Sequence, residues 1–192
     1  QGLMLYLLTL VFVKSLHELG HAFVSKYFGC RVSSIGIAFL VFFPFLYTDT
    51  SDAWRLRDHK DRLLINFAGI LTELHLALIS TFLWAILPDG GLRSVAFFIA
   101  TTSWISSLAI NVSPFMRFDG YYVFSDWLKA ENLQPRSFAL ARWQLREILF
   151  GFNHPPPEDL NPSRRWTFIS YAWLTWVYRF FIFLGIALLV YH

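Results

Sequence analysis

The sequence predicts an all-α polytopic membrane protein, and the prediction rests on composition, on the length of the apolar runs and on the placement of basic residues. Of the 192 residues, 56% are hydrophobic and only 15% are charged, whereas a soluble domain carries about a quarter charged residues. Four apolar runs reach the roughly 20 residues that a membrane-crossing helix needs. They are residues 3–28, 63–87, 92–112 and 166–191.

Basic residues are concentrated in two of the connections between these runs. Six lysines and arginines lie in residues 26–62 and seven in residues 117–165. Because positively charged loops stay on the cytoplasmic side of a membrane, both connections are expected inside and the short turn 88–91 outside. The basic residues are scattered beside the spans rather than aligned along a soluble face, so the expected partner is the lipid bilayer and not nucleic acid.

A short apolar segment follows the first run. Residues 35–47 are too short to cross a bilayer and are rich in aromatic and β-branched side chains, which predicts strand. Because Pro44 interrupts it, we expect a short β-hairpin, or a hydrophobic loop, that dips into the membrane beside the first helix. An exposed strand edge there could receive an extended peptide.

The long connection before the last run is expected to hold an interfacial helix. Residues 135–150 mix basic and aromatic side chains at a helical period, which predicts a helix on the cytoplasmic surface. Residues 151–162 include three consecutive prolines and are expected to form a stiff connector. Residues 1–192 are expected to form one core. Because the chain starts with Gln and ends directly after an apolar run, we expect a fragment of a longer protein.

The most informative motif, His-Glu-Leu-Gly-His at residues 17–21, lies inside the first apolar run. Residues four apart share one face of an α-helix, so His17 and His21 can reach one metal ion, a geometry that zinc accepts. Glu18 would then lie beside the metal, where a carboxylate can take a proton from water. With a single cysteine, Cys30, any metal must be held by histidines and carboxylates.

Two simpler interpretations of the motif stay open on spacing alone. Lys14 and Glu18 are also four residues apart and could form an intrahelical ion pair. The two histidines could be buried core residues with ordinary hydrogen bonds. A motif this short also arises by chance, so its context has to decide.

A third metal ligand is needed, because catalytic zinc sites typically have three. Glu73 is the only other acidic residue in a predicted span, and Asp119 lies just past the third. Asp119 belongs to the segment Asn-Val-Ser-Pro-Phe-Met-Arg-Phe-Asp-Gly at residues 111–120. This segment and the histidine motif together resemble the two signatures of the site-2 protease family of intramembrane zinc metalloproteases. The amino-acid sequence at residues 118–122 is most similar to the bacterial branch of this family, the peptide zinc metalloproteases.

The resemblance implies a function and a role for each residue. His17, His21 and Asp119 match the metal ligands, Glu18 matches the general base, and Asn111 matches a residue that helps to position the substrate or a reaction intermediate. The implied activity is zinc-dependent endopeptidase cleavage of a membrane-associated peptide or transmembrane segment. The expected location is the cell membrane, and the active site is expected towards the cytoplasmic side because His17 and His21 lie towards the inner end of the first run.

One departure from the family pattern lies in the second run. Family members often carry Gly-Pro and then Asn there, whereas this chain has Gly69 and then Glu73. Glu73 could replace the amide, support a metal ligand, or pair with Arg179 of the last run, which is the interpretation that we favour. His75, about 200° further round the helix, is not expected to share its target.

Two other functions fit parts of the pattern. A membrane metal-binding or transport protein could use the same two histidines and an acid, although the spans offer few further polar residues to line a path. A non-catalytic binder of membrane peptides would have no need of Glu18. A site of two histidines and a carboxylate also accepts iron, cobalt or manganese, so the sequence favours zinc without excluding these other metals.

Overall fold

The computed structural model describes residues 2–40 and 43–191, and the protein is 74% helical. Within these residues four helical segments are long and apolar enough, by length and composition, to cross a membrane. The predicted class of all-α polytopic membrane protein is therefore confirmed. The spanning segments are α1 (Gly2–Tyr27), α2 (His59–Ile86), α3 (Gly91–Trp104) with the π-helix Ile105–Asn111 that continues it, and a last helix (Pro162–Tyr191).

Both α2 and the last helix begin four residues before the predicted apolar runs. The extra turn of α2 is polar, and its first N–H groups are satisfied locally. The backbone N–H of Lys60 donates to Oδ1 of Asp58 at 2.9 Å, which caps the helix. α2 ends at Ile86, and Pro88 follows shortly after. The helices therefore extend beyond the apolar runs because capping and charged turns stabilise their ends.

Residues 1–127 form the first of two compact units. In this unit α2 packs against both α1 and α3, and α1 also contacts α3. The buried positions of these helices are mostly small side chains, which include Val13, Ala68, Ala77, Ala100 and Ser103. Small residues allow helices to approach closely in a membrane, where lipid provides little hydrophobic driving force for their association.

The short apolar segment forms a β-hairpin rather than a loop. Strands β1 (Ile35–Leu40) and β2 (Phe43–Thr48) pair antiparallel, with Ile37 opposite Leu46 and Phe39 opposite Pro44. The predicted strand structure is confirmed for these residues, while positions 41 and 42 of the prediction lie outside the described residues. Ile37 and Phe39 are 60% and 74% exposed, so the face that carries them is an apolar surface.

Asp49 ties the two ends of the hairpin together. Its carboxylate accepts a hydrogen bond from the Ser33 hydroxyl and one from the backbone N–H of Ser51 at 3.0 Å. Its own N–H donates to the carbonyl of Ser34 at 2.9 Å. The hydrogen bonds from Ser33 and Ser51 lower the pKa of Asp49 to about 2. The hairpin is therefore closed at its base by an ionised carboxylate.

A short helix, α4 (Asp119–Trp127), completes the first unit and packs against α2. The amide Nδ2 of Asn66 in α2 donates to Oδ2 of Asp126 in α4 at 2.7 Å. Asp126 is buried, so this bond fixes one helix on the other at a site largely shielded from solvent. α4 therefore holds its first residue, Asp119, in a defined position.

The second unit starts at residue 128 and contains α5 (Leu133–Phe150) and the last helix, α6 (Pro162–Tyr191). The predicted interfacial segment is helical, and residues 151–161 contain neither helix nor strand. Arg136 pairs with Glu158 of this connector. The guanidinium carbon of Arg179 in α6 lies 5.6 Å from the ring centre of Phe138 in α5. The position of α5 on the cytoplasmic surface stays a prediction.

Candidate metal centre

The two motif histidines lie side by side in the second half of α1. Their side chains are buried, and Nε2 of His17 lies 3.3 Å from Nε2 of His21. The rings meet edge to face, with centres 4.9 Å apart. Helical spacing places both rings on one side of α1, and the contact with α2 covers them. The pair therefore presents two ring nitrogens to one point in space.

Asp119 reaches the same point from a distant part of the chain. Its Oδ2 lies 2.9 Å from Nε2 of His17 and 3.4 Å from Nε2 of His21, 98 residues away in sequence. One ligand atom from each of the three residues lies within 4.8 Å of the other two. The structure therefore brings together His17, His21 and Asp119, the three residues that the family resemblance indicates as ligands.

Gly69 makes room for the histidine pair where α2 crosses α1. A Cβ atom added to Gly69 would lie 2.4 Å from Nε2 of His17 and 2.5 Å from Nε2 of His21. Real Cβ atoms do not approach ring atoms this closely, so any side chain at this position would displace the imidazoles. The one element of the family's middle-helix pattern that this chain keeps is therefore in contact with the centre.

Gly120 has a similar function for the carboxylate. A Cβ atom at Gly120 would lie 2.5 Å from the carbonyl oxygen of Asn111 and 2.4 Å from that of Val112. These carbonyls belong to the end of the π-helix, where the N–H of Val112 bonds to Ser107 five residues earlier. Because Gly120 lets the backbone close on this end, Asp119 lies against α1.

Both imidazoles are held through their other ring nitrogen. His21 Nδ1 lies 2.8 Å from the carbonyl oxygen of Ile65, and His17 Nδ1 lies 3.0 Å from Oε1 of Glu73. Carbonyl and carboxylate oxygens only accept, so each Nδ1 donates its proton, and Nε2 is the nitrogen that faces Asp119 and the point where a metal ion would bind. Two such nitrogens and a carboxylate form a donor set that fits a zinc ion and leaves a position for water.

Asp119 lies outside the membrane-spanning segments, and its ionisation suits a ligand. Burial acts to raise the pKa of this carboxyl, but hydrogen bonds with His17 and His21 outweigh burial and hold the pKa well below its usual range. The group is therefore a carboxylate at neutral pH, the form in which an acidic side chain binds a metal.

Glu18 faces a cleft that also exposes part of the metal centre. The cleft has a volume of about 600 Å³, and its walls include Glu18, His21 and Asp119. The intrahelical pair of Lys14 with Glu18 is not what forms, because Lys14 Nζ lies 2.8 Å from Oε1 of Glu73. Glu18 thus lines the cleft together with His21 and Asp119.

The hairpin forms the wall of the cleft opposite α4. Thr48 donates its hydroxyl to the backbone carbonyl of Glu18 at 3.0 Å, which attaches the end of β2 to α1. The described part of the cleft is lined from the hairpin side by Leu46, Tyr47, Thr48 and Asp49, and from the helical side by Arg62, Asn66, Tyr122 and Asp126. An open groove therefore runs from the strand to His21 and Asp119.

Glu73 has different partners from the one that the sequence favoured. The expected ion pair with Arg179 is wrong, since the carboxylate instead contacts Lys14, His17, Ser106 and Asn111. The reason is packing. Glu73 lies one helical turn beyond Gly69, on the face of α2 that meets α1 and α3. The sequence offered a signal for this, because Lys14 lies one turn before His17 in the neighbouring span.

Asn111 is buried next to the metal centre rather than in the cleft wall. Its Nδ2 donates to Oε2 of Glu73 at 2.9 Å and lies 3.4 Å from Nδ1 of His17. Asn111 thus comes into the neighbourhood that the family resemblance indicates. His75 is exposed and bonds to the carbonyl of Leu71 in its own helix, as expected for a residue apart from the site.

Buried imidazoles and a carboxylate gathered among membrane-spanning helices define a polytopic membrane protein with the donor set of a metalloenzyme. The model of peptidase family M50 matches residues 4–89, a stretch that holds α1, the hairpin and α2. The matched residues are therefore similar to the site-2 proteases, a family of membrane metalloproteases. Asp119 lies beyond the matched residues. No curated protein and no solved structure matches the chain.

Proposed function

We propose that this protein is a membrane metalloprotease, and specifically a zinc-dependent intramembrane endopeptidase that hydrolyses a peptide bond in a membrane-associated peptide or a transmembrane segment. One observation carries the proposal: the ring nitrogens of His17 and His21 converge on the Asp119 carboxylate at the wall of a cleft that Glu18 also lines. A structural metal site would be closed, whereas this one borders open space.

In this proposal His17, His21 and Asp119 hold the metal through Nε2, Nε2 and a carboxylate oxygen. A zinc ion bound there would supply a Lewis acid, which lowers the pKa of a water molecule towards neutrality and polarises a peptide carbonyl. The Nε2 atoms of the buried histidines stay directed at one point because Ile65 and Glu73 bind the two Nδ1 atoms.

Glu18 is the proposed general base. Its carboxylate takes a proton from the attacking water and later gives that proton to the nitrogen of the departing amine. Asn111 is proposed to help position the substrate or the tetrahedral intermediate, the role that its counterpart in the family signature implies. Both roles are compatible with positions close to the three clustered ligands.

The substrate is expected to bind in an extended form. Peptide bonds inside a helix are shielded, so a transmembrane segment must unwind before its carbonyl can be attacked. Residues 46–48 of β2 line the cleft beside Glu18, and β2 pairs with β1 along one edge only among the described strands. Addition of a substrate strand to its other edge would hold the unwound form.

The location is proposed from charge and from the position of the centre. The histidines lie in the second half of α1, next to the segment 26–62 with its six lysines and arginines. Because basic connections stay in the cytoplasm, we place the cleft towards the cytoplasmic side of the cell membrane. Water would reach the site from that side.

The test compares the wild type with Glu18→Gln in cleavage of a transmembrane peptide that the wild type cuts, together with metal analysis of both proteins. We expect both to retain zinc and only the wild type to cleave, because the amide cannot accept the proton. Glu131→Gln, an exposed change elsewhere, is the control and should cleave normally.

Other results would point elsewhere. If Glu18→Gln cleaves at the wild-type rate, the proposed hydrolysis is wrong. If the wild type binds zinc, releases it across a membrane and cuts nothing, the chain is a metal transporter instead. If it binds the peptide without metal and without cleavage, it is a peptide-binding relative. If the active wild type holds iron, cobalt or manganese, only the choice of zinc is overturned.

A further inference from the structure

Glu73 is a carboxylate with no exposure to solvent, in the middle of a membrane-spanning helix. Four side chains surround its two oxygens. Oε1 accepts from Lys14 Nζ at 2.8 Å, from His17 Nδ1 at 3.0 Å and from Ser106 Oγ at 3.1 Å. Oε2 accepts from Asn111 Nδ2 at 2.9 Å. Every partner is a donor, so the carboxylate is fully hydrogen-bonded.

Packing alone does not explain why a charged side chain occupies this position. Isolated charges at membrane depth are costly, and a buried ion pair is often no more stable than apolar side chains of the same volume. Lys14 provides the opposite charge that makes an ionised Glu73 tolerable. Two of the four contacts of Glu73, those with His17 and Asn111, lead towards the candidate metal centre.

The contact with His17 indicates what Glu73 does in the folded protein. The His17 ring lies between two carboxylates, with Nδ1 on Glu73 and Nε2 on Asp119. A hydrogen bond to Nδ1 fixes which nitrogen carries the proton and fixes the plane of the ring. We propose that Glu73, which Lys14 also contacts, is a positioning residue that orients His17 so that its Nε2 is presented to the metal.

The two histidines differ in how they are held, which makes the inference specific to one of them. His21 donates to the backbone carbonyl of Ile65, a group that is present whatever side chain occupies that position. His17 depends on a side chain, Glu73. Substitution at position 73 should therefore loosen one ligand of three and leave the other two in place.

Asn111 and Ser106 strengthen this arrangement from the third helix. Both donate to Glu73, and Asn111 lies within 3.4 Å of His17 Nδ1. Their bonds prevent the carboxylate from rotating away from the imidazole. The end of α3 and its π-helix therefore contribute to the orientation of His17 through Glu73, in addition to any contact with substrate.

The inference rests on the proposed function, because it assumes that His17 binds a metal ion. The experiment measures the dissociation constant of Zn²⁺ for the full chain in detergent, by competition with a chromophoric chelator. Glu73→Leu, combined with Lys14→Met to avoid an unpaired lysine, removes the acceptor. We expect zinc affinity to fall by about 10- to 100-fold, the usual effect of losing such a partner.

A rescue variant separates positioning from a general structural role. Glu73→Gln with Lys14→Met keeps a carbonyl oxygen that can accept from His17 Nδ1, and it should retain more affinity than the leucine variant. Ser80→Ala is the matched control, a buried polar side chain two turns along the same face of α2, and should bind zinc as the wild type does.

The outcomes separate two ideas. If the wild type does not bind zinc, the proposed function fails and takes the inference with it. If the wild type binds zinc and the leucine variant binds it equally well, the inference fails and the proposed function stands. If the glutamine and leucine variants lose the same affinity while their helical content is unchanged, the hydrogen bond to His17 is not the cause, and positioning is again wrong.

Discussion

The candidate metal centre depends on the absence of a side chain at Gly69. The position is buried where α2 meets α1, and two imidazoles occupy the space that a methyl group would need. Polar or apolar, any replacement would enter the same volume. The requirement at this residue is therefore steric, and it can be tested without altering a single donor atom.

We expect Gly69→Ala to lose zinc binding while the helices remain. The added methyl group must push His17 and His21 apart, and overpacking of this kind costs about 1–3 kcal/mol. Metal analysis and circular dichroism of the purified protein would check both parts of the expectation.

Gly185→Ala is the control for this change, because a Cβ atom at Gly185 in α6 meets nothing within 4 Å. It should bind zinc normally. Wild-type zinc content in Gly69→Ala would show that the helices separate easily at this point, and that the close approach is not needed for the centre.

At the scale of elements, the hairpin is closed by a charge rather than by apolar packing. Asp49 links the residues before β1 to those after β2 through Ser33, Ser34 and Ser51. These bonds favour the ionised carboxylate in the folded hairpin. Because β2 also forms a wall of the cleft, conditions that protonate Asp49 should affect the groove.

The closure should weaken in acid. The pKa of Asp49 is about 2 in the folded protein and near 3.8 when the carboxyl is free. A group whose pKa is lower in the folded state stabilises it above the free pKa and loses that contribution as pH falls through the folded value. We expect the protection of the hairpin amides against hydrogen exchange, relative to their intrinsic rates, to fall between about pH 4 and pH 2.

Asp49→Asn provides the comparison for this expectation. The amide cannot ionise, so exchange at its hairpin should already be faster near neutrality and should change less in acid, after correction for intrinsic exchange rates. An identical pH dependence in both proteins would assign the effect to other groups. Asp89→Asn, in the turn before α3, is a control in which the hairpin should behave as in the wild type.

At the scale of the whole molecule, the four spans and the basic connections together predict an orientation. The turn between α2 and α3 should lie outside, whereas residues 28–58 and the connection before α6 should lie inside. The side chain of Asp89 in the turn is 95% exposed, and His154 in the connector is exposed as well. These two positions can report on opposite sides of a membrane.

We expect single cysteines at these two positions to react differently in intact cells. In a Cys30→Ala background, Asp89→Cys should react with a membrane-impermeant maleimide, and His154→Cys should react only after permeabilisation. The unsubstituted Cys30→Ala protein is the blank. Labelling of both positions from outside would overturn the four-span arrangement, and the reverse pattern would place the cleft on the other side.

The spans could be predicted because a bilayer imposes length and composition directly. The positions of charged side chains could not, and Glu73 is the clear example: hydropathy shows that it lies in a span but not which face of α2 meets which neighbour. The expected partner, Arg179, belongs to the last helix, whereas the observed partner, Lys14, lies in the adjacent one.

The candidate metal centre could be predicted only in part from the spacing of residues along the sequence. Four-residue spacing is enough to place His17 and His21 on one face of a helix. Asp119 lies 98 residues beyond His21, and only the resemblance to a family signature connected the two. The contact depends on a backbone approach at Gly120 that no periodicity reveals.

The hairpin also has a consequence for handling the protein outside lipid. It has two strands, each with one edge unpaired within the described residues, and it carries exposed Ile37 and Phe39. Unpaired strand edges of this kind can form hydrogen bonds with strands of other molecules and so promote aggregation. If the detergent micelle does not cover the hairpin, purified protein should oligomerise through strand pairing. The homogeneity of the sample should therefore depend more on micelle size than on ionic strength.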